Sequence, residues 1–145
     1  MDNIKEFEER IKYIEKEIKQ IDRLDRTVYE LGQKLNKATE LLIRIVEMNE
    51  QIDKKDLDYL LLKLNVEPIK YHELPLLISK TGIAYKRTGE FPNFYEFHDF
   101  VINTLSLTEE DKEDFPIEVT ENYLKEFIGI EENISSVCEK ILSTK

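Results

Sequence analysis

Apolar residues recur at alternating intervals of three and four residues through the first third of the chain, between positions 4 and 52. This spacing is a heptad repeat, which places the apolar side chains on one stripe of an α-helix. We call these positions the seam. The seam consists of Ile4, Phe7, Ile11, Ile14, Ile18, Ile21, Leu24, Val28, Leu31, Leu35, Ala38, Leu42, Ile45 and Ile52. Because such a stripe is buried only against another helix, the seam predicts one long helix that pairs with a second helix.

The repeat is interrupted once, between Ile21 and Leu24. The step there is three residues where a strict heptad requires four, and Asp25 takes the place of the expected apolar residue. A step of this kind overwinds a coiled coil locally. The alternative is a turn between Asp25 and Gly32, with the two halves packed as an antiparallel hairpin. A glycine costs a helix interior only about 1 kcal/mol, and no proline lies nearby, so a continuous helix is favoured.

The rest of the chain predicts short helices. The whole sequence has only four glycines and four prolines, too few for a turn-rich β protein. We therefore predict an all-α fold with a long coiled-coil-type helix over residues 1–53. An acidic bundle of about four to five short helices follows over residues 54–145.

Capping residues indicate where the short helices begin and end. Asp53 is expected to cap the helix after the seam, and Asn65 is suited to end it. Gly89 is the expected end of the next helix. Asn93 followed by Glu96 resembles a capping box and predicts a further helix start.

Net charge is distributed unevenly along the chain. The net charge is −10, of which residues 1–55 carry −1 and residues 56–145 carry −9. An acidic body repels nucleic acid and anionic membranes and attracts basic partners, so we predict neither direct nucleic-acid binding nor a membrane partner. No apolar run reaches the roughly 18 residues of a membrane span. The start of the chain lacks a signal-peptide core, which favours the cytoplasm.

No motif in the sequence indicates catalysis, a metal site or a cofactor. Cys138 is the only cysteine, which excludes an internal disulfide and a cysteine-based zinc cluster, and it is expected to be a small buried residue. His72 and His98 are too few for a metal motif. His98 beside Asp99 could act as an acid–base pair, but a histidine at the rim of a core is the favoured interpretation. We therefore predict that the protein is not an enzyme.

Two groups of residues are candidates for partner binding. An acidic run from 109 to 114 fails the calcium-loop pattern, which requires a glycine at its sixth position. It is expected to be a solvated loop or the start of a helix. Aromatic residues are dense between 91 and 100, more than one buried stripe requires. The favoured interpretation is that they fill a small helical core, and the alternative is that Tyr95 or Phe100 stays exposed and anchors a partner. The candidate contact residues are Tyr95, Phe100, Glu109, Glu110, Asp111, Glu113 and Asp114.

Residues 57–105 follow a recognisable order of features. A leucine run at 60–62 precedes a short break, a helix then ends in Gly89, and phenylalanines at 91, 94 and 97 open the next helix. This order resembles the YhaI-like family of small all-helical Bacillus proteins of unknown function. The resemblance covers about a third of the chain and implies an all-α fold.

Two functions fit these patterns. The first is a non-catalytic interaction protein whose seam binds itself, as a dimer or else as a trimer or tetramer, and whose acidic domain contacts another protein. The second is a small acidic inhibitor, from a phage or another mobile element, that blocks a basic nucleic-acid-binding surface of its target. The seam supports the first and the acidic body supports the second.

Overall fold

The protein is all-α, as predicted. The computed structural model describes residues 2–145, and within that range it contains eight helices and no strand. The helices are α1 Asp2–Met48, α2 Leu57–Lys63, α3 Pro68–Tyr71, α4 Leu74–Thr88, α5 Phe94–Thr104, α6 Glu109–Glu113, α7 Ile117–Glu126 and α8 Glu132–Leu142. None of these helices is long and apolar enough to cross a membrane.

Helix α1 is continuous, and the alternative hairpin does not occur. Its 47 residues extend for roughly 70 Å at about 1.5 Å per residue. The helix ends at Met48, so Ile52, the last predicted seam residue, lies in the following turn. The reason is local, because the Asn49 side chain accepts a hydrogen bond from the Gln51 amide at 3.0 Å. This bond offers the backbone an alternative to further helix.

The chain divides into two compact units, of which the first ends at Arg44 and the second is Ile45–Lys145. The last turn of α1 therefore belongs with the short helices. Glu47 on this turn accepts a hydrogen bond from the Tyr59 hydroxyl at 3.1 Å, and the Lys63 ammonium lies 3.7 Å from the same carboxylate. These contacts join α1 to α2 within the second unit. Residues 1–53 as a functional domain remain a prediction.

The start of α2 differs from the prediction. Asp56 caps this helix by accepting the Tyr59 amide at 3.0 Å. Asp53, the predicted cap, instead accepts the Lys55 amide at 2.9 Å and forms a turn. Both aspartates precede the same leucine-rich segment, and the sequence pattern does not distinguish between them.

The predicted end of α2 is confirmed. Asn65 adopts the left-handed conformation with φ of 52°, and the Val66 amide donates to the Leu61 carbonyl at 3.0 Å. This is the Schellman arrangement, which satisfies the last carbonyls of a helix. Gly89 ends α4 in the same left-handed region, as predicted. Ser106 ends α5 likewise, although the sequence gives no glycine or asparagine there.

The core of the second unit lies among α4, α5, α7 and α8. Helix α8 packs against α4, α5 and α7, and α5 also packs against α4 and α7. Cys138 on α8 is fully buried, in agreement with the prediction of a small buried residue. The apolar core side chains with the least exposure are Phe94, Phe97, Ile78, Val119, Leu124, Cys138 and Ile141.

Candidate interaction surfaces

The seam is exposed along the whole of α1. Its large apolar side chains expose between 50% at Ile45 and 67% at Val28 and Leu35. Ile52, beyond the helix, is 37% exposed. Soluble monomers rarely expose contiguous apolar patches of more than a few hundred Å², and larger ones mark interaction sites. The exposed seam from Ile4 to Leu42 is therefore the main candidate interaction surface of the first unit.

The seam consists of two stripes that face different directions. We call Ile4–Ile21 the first stripe and Leu24–Ile45 the second stripe, separated by the three-residue step at Ile21. At about 100° per residue, the centres of the two stripes lie about 120° apart around α1. A partner helix that contacts both stripes must therefore follow a locally overwound path.

Two further apolar residues of α1 are partly buried, although the sequence pattern did not single them out. Ile43 and Val46 are partly buried, whereas the neighbouring seam residues Leu42 and Ile45 are exposed. The sequence signal for them is that Ile43 and Val46 are three residues apart, each directly after a seam residue. It is weak because both residues fall outside the heptad positions.

The acidic run forms α6, where part of its charge serves the fold. Thr108 and Asp111 make a reciprocal capping box, in which each side chain accepts the backbone amide of the other. Glu109 accepts a hydrogen bond from the Lys112 ammonium at 2.7 Å. Of the five predicted contact residues in this run, Glu110, Glu113 and Asp114 are exposed and take part in no ion pair among residues 2–145.

The two predicted aromatic contact residues lie on different faces of α5. Tyr95 is 53% exposed and Phe100 is 44% exposed. They are five positions apart in the sequence, which places them about 140° apart around the helix. A single partner segment would therefore not bind both as one anchor. Each remains an individual candidate.

A groove between α4 and α8 is a surface that the sequence did not reveal. It has a volume of about 420 Å³, and Gly82 and Val137 are among the residues that line it. A Cβ atom on Gly82 would lie 3.1 Å from Val137 Cγ2, so the glycine permits the close approach of the two helices. Ile83 lines one side and is 55% exposed. The only sequence signal was a glycine within a predicted helix.

An aromatic pair and a lysine are also among the residues that line this groove. The rings of Tyr85 and Phe91 stack with their centroids 3.9 Å apart. The Lys140 ammonium lies 4.5 Å from the Tyr85 centroid and 5.0 Å from the Phe91 centroid, which is cation–π distance. Lys86 also lines the groove. The lining of the groove therefore combines aromatic and aliphatic side chains with two lysines.

The structure does not form the His98–Asp99 acid–base pair. His98 is buried, stacks on Phe115, and places Nδ1 2.6 Å from the Thr120 hydroxyl, whereas Asp99 is exposed. Burial lowers the pKa of His98, which favours the neutral ring. Burial also raises the pKa of Cys138 to about 11, which favours the unreactive thiol. Both residues are part of the core.

Across residues 2–145, no group of three or more His, Cys, Asp or Glu side chains comes together in a way that could hold a metal ion. Comparison with protein-family models, with curated proteins and with solved structures gives no match. The resemblance of residues 57–105 to the YhaI-like family stays a prediction.

Proposed function

We propose that this protein is a non-catalytic interaction protein that binds copies of itself through the seam of α1 and presents its acidic second unit to another protein. One observation carries the proposal: an uninterrupted helix of 47 residues exposes two successive apolar stripes, which together extend along its length. A helix of this kind gains most of its stability from packing of its apolar face. A second copy supplies a matching face.

A dimer is the simplest assembly, and the sequence is also compatible with a trimer or a tetramer. The first stripe has isoleucine at both alternating seam positions except at Phe7. In parallel coiled coils this pattern shifts the preference toward trimers and tetramers. The second stripe is rich in leucine, with Val28 as its one β-branched residue before Ile45. The two stripes therefore differ in the assembly that they favour.

The test is the mass of the full chain in solution, for the wild type and two variants. The monomer mass is 17.3 kDa, and sedimentation equilibrium at micromolar concentration should give a multiple of it. Ile14→Glu places a charge in the first stripe and should weaken association at least tenfold, because a buried unpaired carboxylate is costly. Tyr13→Glu changes an adjacent residue off the seam, 64% exposed against 55% for Ile14, and should leave the mass unchanged. A monomeric wild type would contradict the proposal.

The second candidate function is an acidic inhibitor of a basic nucleic-acid-binding surface. It is supported by the net charge of −9 over residues 56–145 and by the free carboxylates of Glu110, Glu113 and Asp114. Such binding should be strongly salt-dependent and competitive with nucleic acid. Glutamine and asparagine at positions 109, 110, 111, 113 and 114 should abolish the competition. Unchanged competition would exclude this run as the mimic of phosphates.

A further inference from the structure

The groove between α4 and α8 combines an apolar interior with unpaired positive charge. Lys86 and Lys140 line it, and neither lies within ion-pair distance of a carboxylate among residues 2–145. Five other lysines of the second unit do form such pairs, with Glu47, Glu109, Glu118 and Glu121. Unpaired lysines are notable here because residues 56–145 carry a net charge of −9.

We infer that this groove is a docking site for an amphipathic helix from a partner protein, with acidic side chains flanking the apolar stripe of that helix. The apolar stripe would cover Ile83 and Val137, and the acidic side chains would face Lys86 and Lys140. Charge complementarity therefore selects the occupant. This inference goes beyond self-association through the seam and does not depend on it.

The geometry favours a helix over an extended peptide. An extended peptide that binds as an added strand needs the edge of a sheet, and residues 2–145 contain no strand. A channel between two packed helices accepts a third helix, which inserts side chains spaced at i, i+3, i+4 and i+7. Gly82 leaves space in the groove, because a Cβ atom there would lie 3.1 Å from Val137 Cγ2.

The Tyr85–Phe91 stack prepares Lys140 for an acidic partner. The ammonium lies within cation–π distance of both ring centroids, which favours its position beside the groove. Cation–π contact is compatible with a further ion pair, because an ammonium has three N–H donors. Glu131 is the one carboxylate that lines the groove, and it lies at the start of α8. A basic side chain on the partner would suit that end.

The experiment compares two synthetic peptides of about 20 residues that share one leucine stripe at i, i+3, i+4 and i+7. One carries glutamate beside the stripe and the other carries lysine. Fluorescence anisotropy with the full chain should show tighter binding of the acidic peptide. The net charge of −10 alone predicts the opposite preference. Tighter or equal binding of the lysine peptide would therefore overturn the inference.

Substitutions locate the binding site. Lys86→Glu and Lys140→Glu should each weaken binding of the acidic peptide by up to about fivefold, the range for exposed ion pairs. Lys80→Glu is the matched control, since Lys80 is an exposed, unpaired lysine of α4 outside the groove. Lys140→Met retains an apolar stem over the rings and should weaken binding without a loss of folded structure by circular dichroism. Equal effects of Lys80→Glu and Lys86→Glu would refute a specific site.

The same variants separate this inference from self-association. Lys86→Glu should leave the sedimentation mass of the full chain unchanged, because Lys86 is not on α1. Ile14→Glu should lower that mass and leave affinity for the acidic peptide unchanged. Loss of peptide binding in Ile14→Glu but not in Lys86→Glu would show that the peptide binds the seam, and the groove inference would be wrong.

Discussion

Two buried tyrosines of the second unit differ in whether their hydroxyl groups have partners. Tyr59 donates to Glu47 at 3.1 Å, whereas the Tyr123 hydroxyl is buried and has no hydrogen-bond partner among residues 2–145. A buried polar group without a partner keeps its full desolvation cost. At the residue scale, similar burial of the same side chain therefore contributes differently to stability.

The first prediction compares phenylalanine at these two positions. Tyr123→Phe removes an unpaired hydroxyl and should be neutral or stabilise the fold by up to about 1 kcal/mol. Tyr59→Phe removes a hydrogen bond and should destabilise by about 0.5–1.5 kcal/mol. Urea unfolding of both variants beside the wild type measures the difference. A larger loss in Tyr123→Phe would show that its hydroxyl has a stabilising partner in solution.

The second prediction concerns acid sensitivity at His98. Burial lowers the pKa of His98 in the folded state, while Asp99 and Glu118 oppose this shift. Between the folded pKa and the ordinary value of about 6.5, the unfolded chain binds the proton and the folded chain does not. The contribution to stability is therefore fully present above about pH 6.5 and is lost as the pH falls through the folded pKa.

The variant His98→Gln isolates this contribution, because glutamine can still bond to the Thr120 hydroxyl but does not titrate. Between about pH 7.5 and pH 5.5, the wild type should lose more unfolding free energy than the variant. Carboxylate titration is common to both proteins and cancels in the comparison. Parallel losses would mean that His98 titrates alike in the folded and unfolded states.

At the scale of the element, helix α5 begins with a cap assembled from distant parts of the chain. Asn93 accepts the Glu96 amide at 2.9 Å, and the Thr144 hydroxyl accepts the Phe94 amide at 2.7 Å. The sequence predicted the Asn93–Glu96 pair because both residues are local. It gave no signal for Thr144, because that contact depends on how α8, which ends just before Thr144, packs against α5.

The third prediction tests this long-range cap. Thr144→Val preserves the branched shape but removes the hydroxyl, which leaves the Phe94 amide without its acceptor. The cost should be about 1 kcal/mol, the usual value for loss of a helix cap. Ser143→Ala is the control, since the exposed Ser143 hydroxyl bonds only to the Lys140 carbonyl of its own helix. Thermal unfolding should distinguish the two, and equal midpoints would contradict the cap.

The fourth prediction contrasts alanine at two helical glycines. Gly32 in α1 has open space where a Cβ would lie, so Gly32→Ala should stabilise α1 by up to about 1 kcal/mol. Gly82→Ala would place its Cβ 3.1 Å from Val137, which offsets the same gain in helix propensity. Circular dichroism should therefore show increased helical stability for Gly32→Ala and little or no increase for Gly82→Ala. A comparable gain at Gly82 would mean that Val137 moves freely.

At the scale of the whole molecule, the features that the sequence predicts correctly depend on residues close together in the chain. The features that it misses depend on contacts between distant helices. The continuous helix α1, the ends at Asn65 and Gly89, and the burial of Cys138 depend on local spacing and could be predicted. The groove and its Tyr85–Phe91–Lys140 stack depend on the packing of α4 against α8, which are far apart in the sequence. Periodicity identifies an apolar face but not the helix that covers it.

The last prediction links the seam to the stability of α1. An isolated helix is only marginally stable in water, so α1 should become more helical as copies associate. The far-ultraviolet circular dichroism per residue should therefore rise with protein concentration in the wild type and stay constant in Ile14→Glu. Residues 1–55 carry a net charge of only −1, so added salt should not reverse the rise. A concentration-independent signal in the wild type would show that α1 needs no second copy to be helical, and some other partner would then have to explain the exposed seam.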